Sequence, residues 1–267
     1  MAAGLLREKS MSSLRDCIFG LAVGDALGVP YEFLKRDSFL CTDMIGHGSH
    51  DRPAGTFSDD TAMTLATCDS IRATGRINVT DLRQRFEQWA YLGFYTPDRA
   101  AFGIGQTTLR ALVNRAGQSS ERDNGNGSLM RIAPLAYTQA TNEQIRNVSA
   151  ITHAHEISMQ ACVDFVKILR IVVCGEEPDL SKWLGKPREQ IESTGYVVHT
   201  LEASLWCFAN TTSYEECVLA AVNLGADADT TAAVAGALAG ARYGIESIPT
   251  KWMETLRGKD LIETSLF

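Results

Sequence analysis

Apolar residues recur at spacings of three and four along most of this chain, the mark of helices that bury one face. Leu14, Ile18, Leu21 and Ala22 set that rhythm over residues 12–28, the first predicted helix. Residues 60–74 follow, stopped by Gly75, and a third helix is predicted from Thr80, with Leu82, Phe86, Trp89 and Ala90 on one face. Thr141 with Gln144, and Ser213 with Glu216, have the spacing of capping boxes and mark two more helix starts. The stretch CVDFVKILRIVVC, residues 162–174, reads as a buried helix, although its Val and Ile content also suits a strand. A last helical segment runs from Asp229 to Tyr243 and ends at Gly244. No strand–turn–helix alternation and no internal repeat interrupts this pattern. The expected architecture is one compact all-α domain over residues 12–267, behind an N-terminal extension of residues 1–11.

Composition supports a globular fold and narrows the partners. Of 267 residues, 45% are hydrophobic and 21% charged, which excludes a disordered chain. The net charge of −7 argues against a phosphate-backbone binder, which needs a basic face. The 7 Cys are odd in number and form no C-x-x-C, so they read as reduced thiols of a cytoplasmic protein. The longest apolar run, Ala232 to Ala241, is about half a membrane span, and Arg7, Glu8 and Lys9 interrupt any leader-like stretch. A monomer that touches neither membrane nor nucleic-acid backbone is expected.

Three stretches break the helical rhythm: residues 43–59, 117–128 and 224–229. Two of them hold similar acidic segments, Ser58-Asp59-Asp60-Thr61 and Asp227-Ala228-Asp229-Thr230-Thr231, each directly before an Ala-rich helix. Either one alone reads as a helix cap. Each, however, offers three or four oxygen donors where a cap needs one. If the segments meet, four carboxylates crowd together, and each like-charge pair at ~4 Å costs roughly 4 kcal/mol at an effective dielectric near ~20. A fold avoids that unless cations reside there. Oxygen-only donors favour Mg²⁺ or Mn²⁺, and four carboxylates suit two ions better than one. Spacing alone does not tell whether the segments meet.

The other polar residues read more quietly. Glu32, just past the first helix, reads alone as a solvated residue, and Asp25, among small apolar neighbours, as a brace for the backbone. Asn124-Gly125-Asn126-Gly127-Ser128 leads into a predicted helix start at Leu129 to Ile132, a combination that suits an anion. Gly103 to Thr107, with Gly103 and Gly105, is a weaker stretch of the same kind. His153 and His155, two apart on a predicted helix, would point away from each other. His47, His50 and His199 are isolated and read as structural or exposed.

Taken together, GLAVGDALGVPYEF (20–33), GTFSDDTAM (55–63), FGIGQTT (102–108), GNGSLMR (125–131), THAHE (152–156) and GADADTTAA (225–233) resemble the ADP-ribosylglycohydrolase family. The resemblance runs in the family's order from about residue 14 to 245. It implies an all-α fold with two Mg²⁺ or Mn²⁺ in a central cleft. On this resemblance the metal ligands fall on Ser58, Asp59, Asp60, Asp227, Asp229 and Thr230, and the family's mobile glutamate on Glu32. The catalytic carboxylates would be among Glu32, Asp59 and Asp60. The diphosphate loop falls on Gly125 to Ser128 and a ligand-contacting histidine on His153, and Gly103, Gly105 and Asn124 are expected to bind substrate as well. Two positions depart from the pattern. Ser58 stands where many relatives have Thr, and Gly103 where some arginine-directed members have Asp. The implied reaction is hydrolysis of the C1″ bond between ADP-ribose and an acceptor. A di-metal phosphohydrolase cutting a pyrophosphate, and a non-catalytic ADP-ribose-binding or crystallin-like protein, are the alternatives. Two divalent cations would bring the formal charge to about −3.

Overall fold

In the computed structural model, which describes residues 12–267, the regular structure is helical, with no β-strand among those residues, only three isolated bridges. The extension read over residues 1–11 lies outside the described residues. The order is α1 (Leu14–Gly28), α2 (Asp59–Thr74), α3 (Val79–Leu92), α4 (Gln106–Asn114), α5 (Asn142–Ser149) and α6 (Glu156–Val173). Then come α7 (Val197–Ala209), α8 (Tyr214–Val222), α9 (Ala228–Tyr243), α10 (Thr250–Thr255) and α11 (Lys259–Ser265). None of the described helices is long and apolar enough to cross a membrane.

The axis of the fold is α9, a helix of small residues buried on every side from Ala228 to Ala241. Its smallness allows α1 to pack backbone against backbone. A Cβ added at Gly24 would lie 2.1 Å from the Ala232 carbonyl oxygen, and one at Gly236 would lie 2.3 Å from that of Gly20. Interior glycines each cost about 1 kcal/mol of helix propensity. They are tolerated here because no other side chain permits so close a crossing. Around this pair, α2, α6, α7 and α8 complete one compact all-α core.

Most predicted elements form where the pattern put them, including the buried helix over residues 162–174, which is the body of α6. Three details differ. The helix start expected at Leu129 to Ile132 is only a 3₁₀ turn, Leu129–Arg131, followed by a second, Ala133–Tyr137. Pro134 explains the break, because it has no N–H for an i→i−4 bond and restricts Ala133 before it. The third helix begins at Val79 rather than Thr80, since Asn78 caps it by accepting from the Asp81 amide. At Thr141 the full capping box forms. At Ser213 only half does, because the Glu216 carboxylate accepts from the Thr212 amide and hydroxyl instead. Of the seven cysteines, all are free and Cys174 alone is exposed.

Candidate active site

The close packing of α1, α2 and α9 brings two acidic helix starts to one end of the molecule. On α1, Asp25 is fully buried, and its carboxylate accepts from the Ser58 amide at 2.9 Å and from the Thr61 amide and hydroxyl at 3.0 and 2.6 Å. It is the backbone brace expected from sequence, and it locks the first turn of α2 to α1. Ser58 caps α2: its Oγ accepts from the Asp60 amide and donates to Asp60 Oδ2 at 3.0 Å. From α9, the Thr230 hydroxyl reaches the same Asp60 Oδ2 at 3.3 Å. The two acidic segments therefore meet. Asp25, Asp60 and Asp229 each bring a carboxylate oxygen within 4.8 Å of the other two, a grouping that could hold a metal ion.

Two oxygens in this group are left over. Asp60 Oδ1 and Asp227 Oδ1 are buried and have no hydrogen-bond partner. Buried polar atoms in folded proteins are nearly always partnered, so these two mark a place that an outside group would complete. The electrostatics agree. Burial, and then repulsion from neighbouring carboxylates, holds Asp59, Asp60 and Asp229 well above the usual carboxylate range. Burial also raises Asp227, against a 2.9 Å hydrogen bond from Asn126 Nδ2 to its Oδ2. Asp25 is pushed up to about 6 by burial, held back by the bonds from Thr61 and Ser58.

The acidic group opens on a cleft of about 470 Å³. Glu32, Asp59, Asp227, Asp229 and Thr230 line it on one side; Gly103, Gly105, Gly125, Asn126, Gly127 and His153 line it elsewhere. Ser58, Asp60, Asn124 and Ser128 lie behind that surface. The Asn124 side chain holds the loop, accepting from the Ser158 hydroxyl and donating to the Glu121 carbonyl, and Ser128 is fully buried against Ser149. Neither histidine of the THAHE stretch lies within a helix, contrary to the expectation. His153 sits in the turn after α5, where it is buried against the glycine loop. His155 caps α6 from outside. Burial, with Arg131 nearby, pushes the His153 pKa down to about 3, so its ring is neutral.

His50, isolated in sequence and expected to be structural or exposed, stands beside Glu32 in the structure. Its Nε2 donates to the Glu32 carboxylate, with the two side chains only 17% and 13% exposed. The ring stands between Phe33 and Phe102, at centroid distances of 5.8 and 5.2 Å. Glu32 is thus held rather than solvated. Its loop is tied to the α9 start by reciprocal backbone bonds: Phe33 N–H donates to the Ala226 carbonyl at 2.7 Å, and Ala226 N–H to that of Leu34 at 2.8 Å. Phe33 and Ala226 both adopt positive φ to make this pairing. Glu32, His50 and Asp229 form a second group with donor atoms within 4.8 Å of one another. No spacing signal could have found His50, because its loop has no helical or strand period. A larger groove, about 650 Å³ between α6 and α7, has a mainly apolar floor of Ile168, Leu201 and Leu205, and its acids Glu156, Asp164 and Glu202 are accompanied by Lys167 and Lys182.

A family model described as ADP-ribosylglycohydrolase matches residues 6–266 of the chain. The chain belongs to the ADP-ribosylglycohydrolase family. Members of this family are hydrolases of glycosidic bonds. This ADP-ribosylglycohydrolase is 32% identical to the ADP-ribosylarginine hydrolase Tri1 of Serratia proteamaculans, over 93% of the chain and 76% of that relative. It is 30% identical to the ADP-ribosyl-[dinitrogen reductase] glycohydrolase of Rhodospirillum rubrum, over 89% of the chain and 87% of the relative. A solved structure described as an ADP-ribosylglycohydrolase-related protein complex superimposes with a TM-score of 0.78 at 30% identity, covering 94% of both chains.

Proposed function

We propose that this chain hydrolyses the bond between ribose C1″ and an acceptor on an ADP-ribosylated substrate, and that it does so with divalent cations bound. The observation that carries this reading is the pair of unpartnered buried oxygens, Asp60 Oδ1 and Asp227 Oδ1, beside a cleft that also holds a glycine loop. Ser58, Asp59, Asp60, Asp227, Asp229 and Thr230 would hold two cations. Their donors are all oxygen, which suits Mg²⁺ or Mn²⁺. Bound there, such cations supply Lewis-acid polarisation of the ribose hydroxyls and of a nearby water.

The chain's own residues do the rest. The bond breaks through an oxocarbenium-like transition state, and the acidic face favours its positive charge. Glu32, steered by His50, orients the attacking water or passes a proton to the leaving group, a role for which Asp59 and Asp60 are the other candidates. Gly125, Gly127 and His153 receive the diphosphate, which explains how an acidic protein holds an anion without a basic patch. Gly103 and Gly105 keep the facing wall free of side chains. Gly103 has φ +79°, and a Cβ there would lie 2.3 Å from Asp59 Oδ1. Gly103 thus departs from the acid that some arginine-directed members carry there, whereas the likeness to an ADP-ribosylarginine hydrolase points towards arginine, and the acceptor is decided by assay.

The test is a panel of substrates ADP-ribosylated on arginine, on serine, on a nucleic-acid base or as O-acetyl-ADP-ribose, each assayed with Mg²⁺, with Mn²⁺ and with chelator. Intact ADP-ribose, released only when a cation is present, is the expected product. Release of AMP would move the reaction to the pyrophosphate. Binding of ADP-ribose without turnover would make the chain a non-catalytic binder.

A further inference from the structure

The glycine loop is braced from behind by a fully buried arginine that has no carboxylate partner. Arg131 donates from Nε to the Gly127 carbonyl at 3.1 Å and from Nη2 to Thr152 Oγ1 at 2.8 Å, with its guanidinium over the Phe86 ring. A guanidinium has donors and no acceptor, so Thr152 Oγ1 must accept from it. The hydroxyl keeps one proton to give. Its remaining partner among the described residues is His153 Nδ1, at 2.8 Å. Donation to Nδ1 is the arrangement that leaves no buried hydroxyl proton unpaired, and a neutral imidazole whose Nδ1 accepts carries its proton on Nε2. That nitrogen faces the glycine loop, 3.4 Å from where a Cβ on Gly125 or Gly127 would stand. The amides of Gly125 and Gly127 have no hydrogen-bond partner among the described residues, and Arg131 draws the Gly127 carbonyl back towards the core.

We infer that Arg131 and Thr152 are positioning residues that lock His153 in its Nε2–H tautomer, so that the ring and the glycine amides offer a set of neutral donors to phosphate oxygens in the cleft. This rests on the ADP-ribose reading above for the identity of the ligand, but not for the tautomer. Burial keeps the ring uncharged, which leaves the direction of the hydroxyl proton as the deciding feature. Without the lock, Nδ1–H becomes available and Nε2 turns into an acceptor that repels an anion.

The experiment is NMR of the full chain labelled with ¹⁵N-histidine, combined with titration of free ADP-ribose in the presence of Mg²⁺. The wild-type protein is expected to show His153 with an unprotonated Nδ1 and a protonated Nε2. Thr152→Val, which keeps the shape and removes the hydroxyl, is expected to mix the tautomers and weaken ADP-ribose binding about tenfold, the loss of one hydrogen bond to a charged group. Thr152→Ser is expected to retain both properties. A protonated Nδ1 in the wild-type protein overturns the inference, whether or not the valine variant folds. So does a folded valine variant with unchanged tautomer and affinity. If wild-type protein shows the locked tautomer yet does not bind ADP-ribose, the substrate reading fails and the lock stands.

Discussion

The two ends of the cleft are built on opposite principles. At the glycine-loop end the polar groups behind the surface are partnered within the fold: Asn124 with Ser158 and Glu121, Ser128 with Ser149, Arg131 with Gly127 and Thr152. At the acidic end, Asp60 Oδ1 and Asp227 Oδ1 have no partner, and their carboxylates repel one another. The first end is finished by the chain itself. On the proposed function the second is finished only when cations arrive, because a buried carboxylate without a partner is costly and repelling neighbours add to that cost. On that proposal one fold combines a preorganised anion seat with an incomplete cation seat.

The largest effect tests the incomplete end. Asp60→Asn or Asp229→Asn is expected to reduce turnover at least about a thousandfold and to abolish the thermal stabilisation that Mg²⁺ or Mn²⁺ gives. Helicity should be nearly unchanged. In chelator the variant should melt no lower than the wild-type protein, since the amide removes one of several repelling charges. Thermal melts with and without chelator, beside turnover, check all three. A variant that keeps full activity in chelator, or that is destabilised only when metal-free, would show that these carboxylates serve the fold rather than cations.

The helices were readable because their signals are local. Thr141 and Gln144 are three residues apart, and the rhythm of Leu14, Ile18 and Leu21 needs no partner to be seen. The start expected at Leu129 is cut short for a local reason too, since Pro134 lies five residues on and ends any longer helix. The acidic segments and the glycine loop were readable as donor sets, but not that they share one cleft. That Asp60 touches Thr230 depends on glycines letting α1 cross α9 closely, a fact of packing with no trace in spacing. His50 acquires meaning only where its ring meets Glu32. Thr152 and His153 are neighbours in sequence, yet the direction of the bond between them is set by Arg131, which reaches them only through the fold.

At the finished end there should be no slack. Gly127→Ala places a Cβ 2.8 Å from His153 Cε1 and 3.0 Å from Thr108 Oγ1. Overpacking of about 1–3 kcal/mol is expected, read as roughly ten- to a hundredfold weaker binding of ADP-ribose with cation affinity unchanged. Calorimetric titration with each ligand separates the two. A smaller change belongs between the ends. His50→Ala frees the Glu32 carboxylate from the side chain that holds it among the described residues, and kcat is expected to fall about tenfold while cation affinity stays the same. His50→Gln, which can still donate to the carboxylate, should recover part of it. Loss of cation affinity in either variant would instead make His50 part of the cation seat.

The last difference is one of pH slope, and it carries opposite signs at the two ends. His153 in the unfolded chain takes up a proton below about 6.5. In the folded protein burial delays that until about 3. The unfolded state therefore binds more protons in that window, and stability is lost as pH falls from about 6.5 towards 3. The acidic end runs the other way in chelator. Its raised carboxylates keep protons that the unfolded chain has already released, so stability is lost as pH rises above the ordinary carboxylate range. Comparing the wild-type protein with His153→Gln in chelator isolates the first slope, because both carry the same carboxylates. Near pH ~5 the histidine should cost the wild-type protein about 2 kcal/mol relative to neutral pH, or a few degrees in Tm, and the glutamine variant should not show that loss. Equal slopes in the two proteins would mean that His153 titrates normally, and that the glycine-loop end is wetter and less complete than its hydrogen bonds imply.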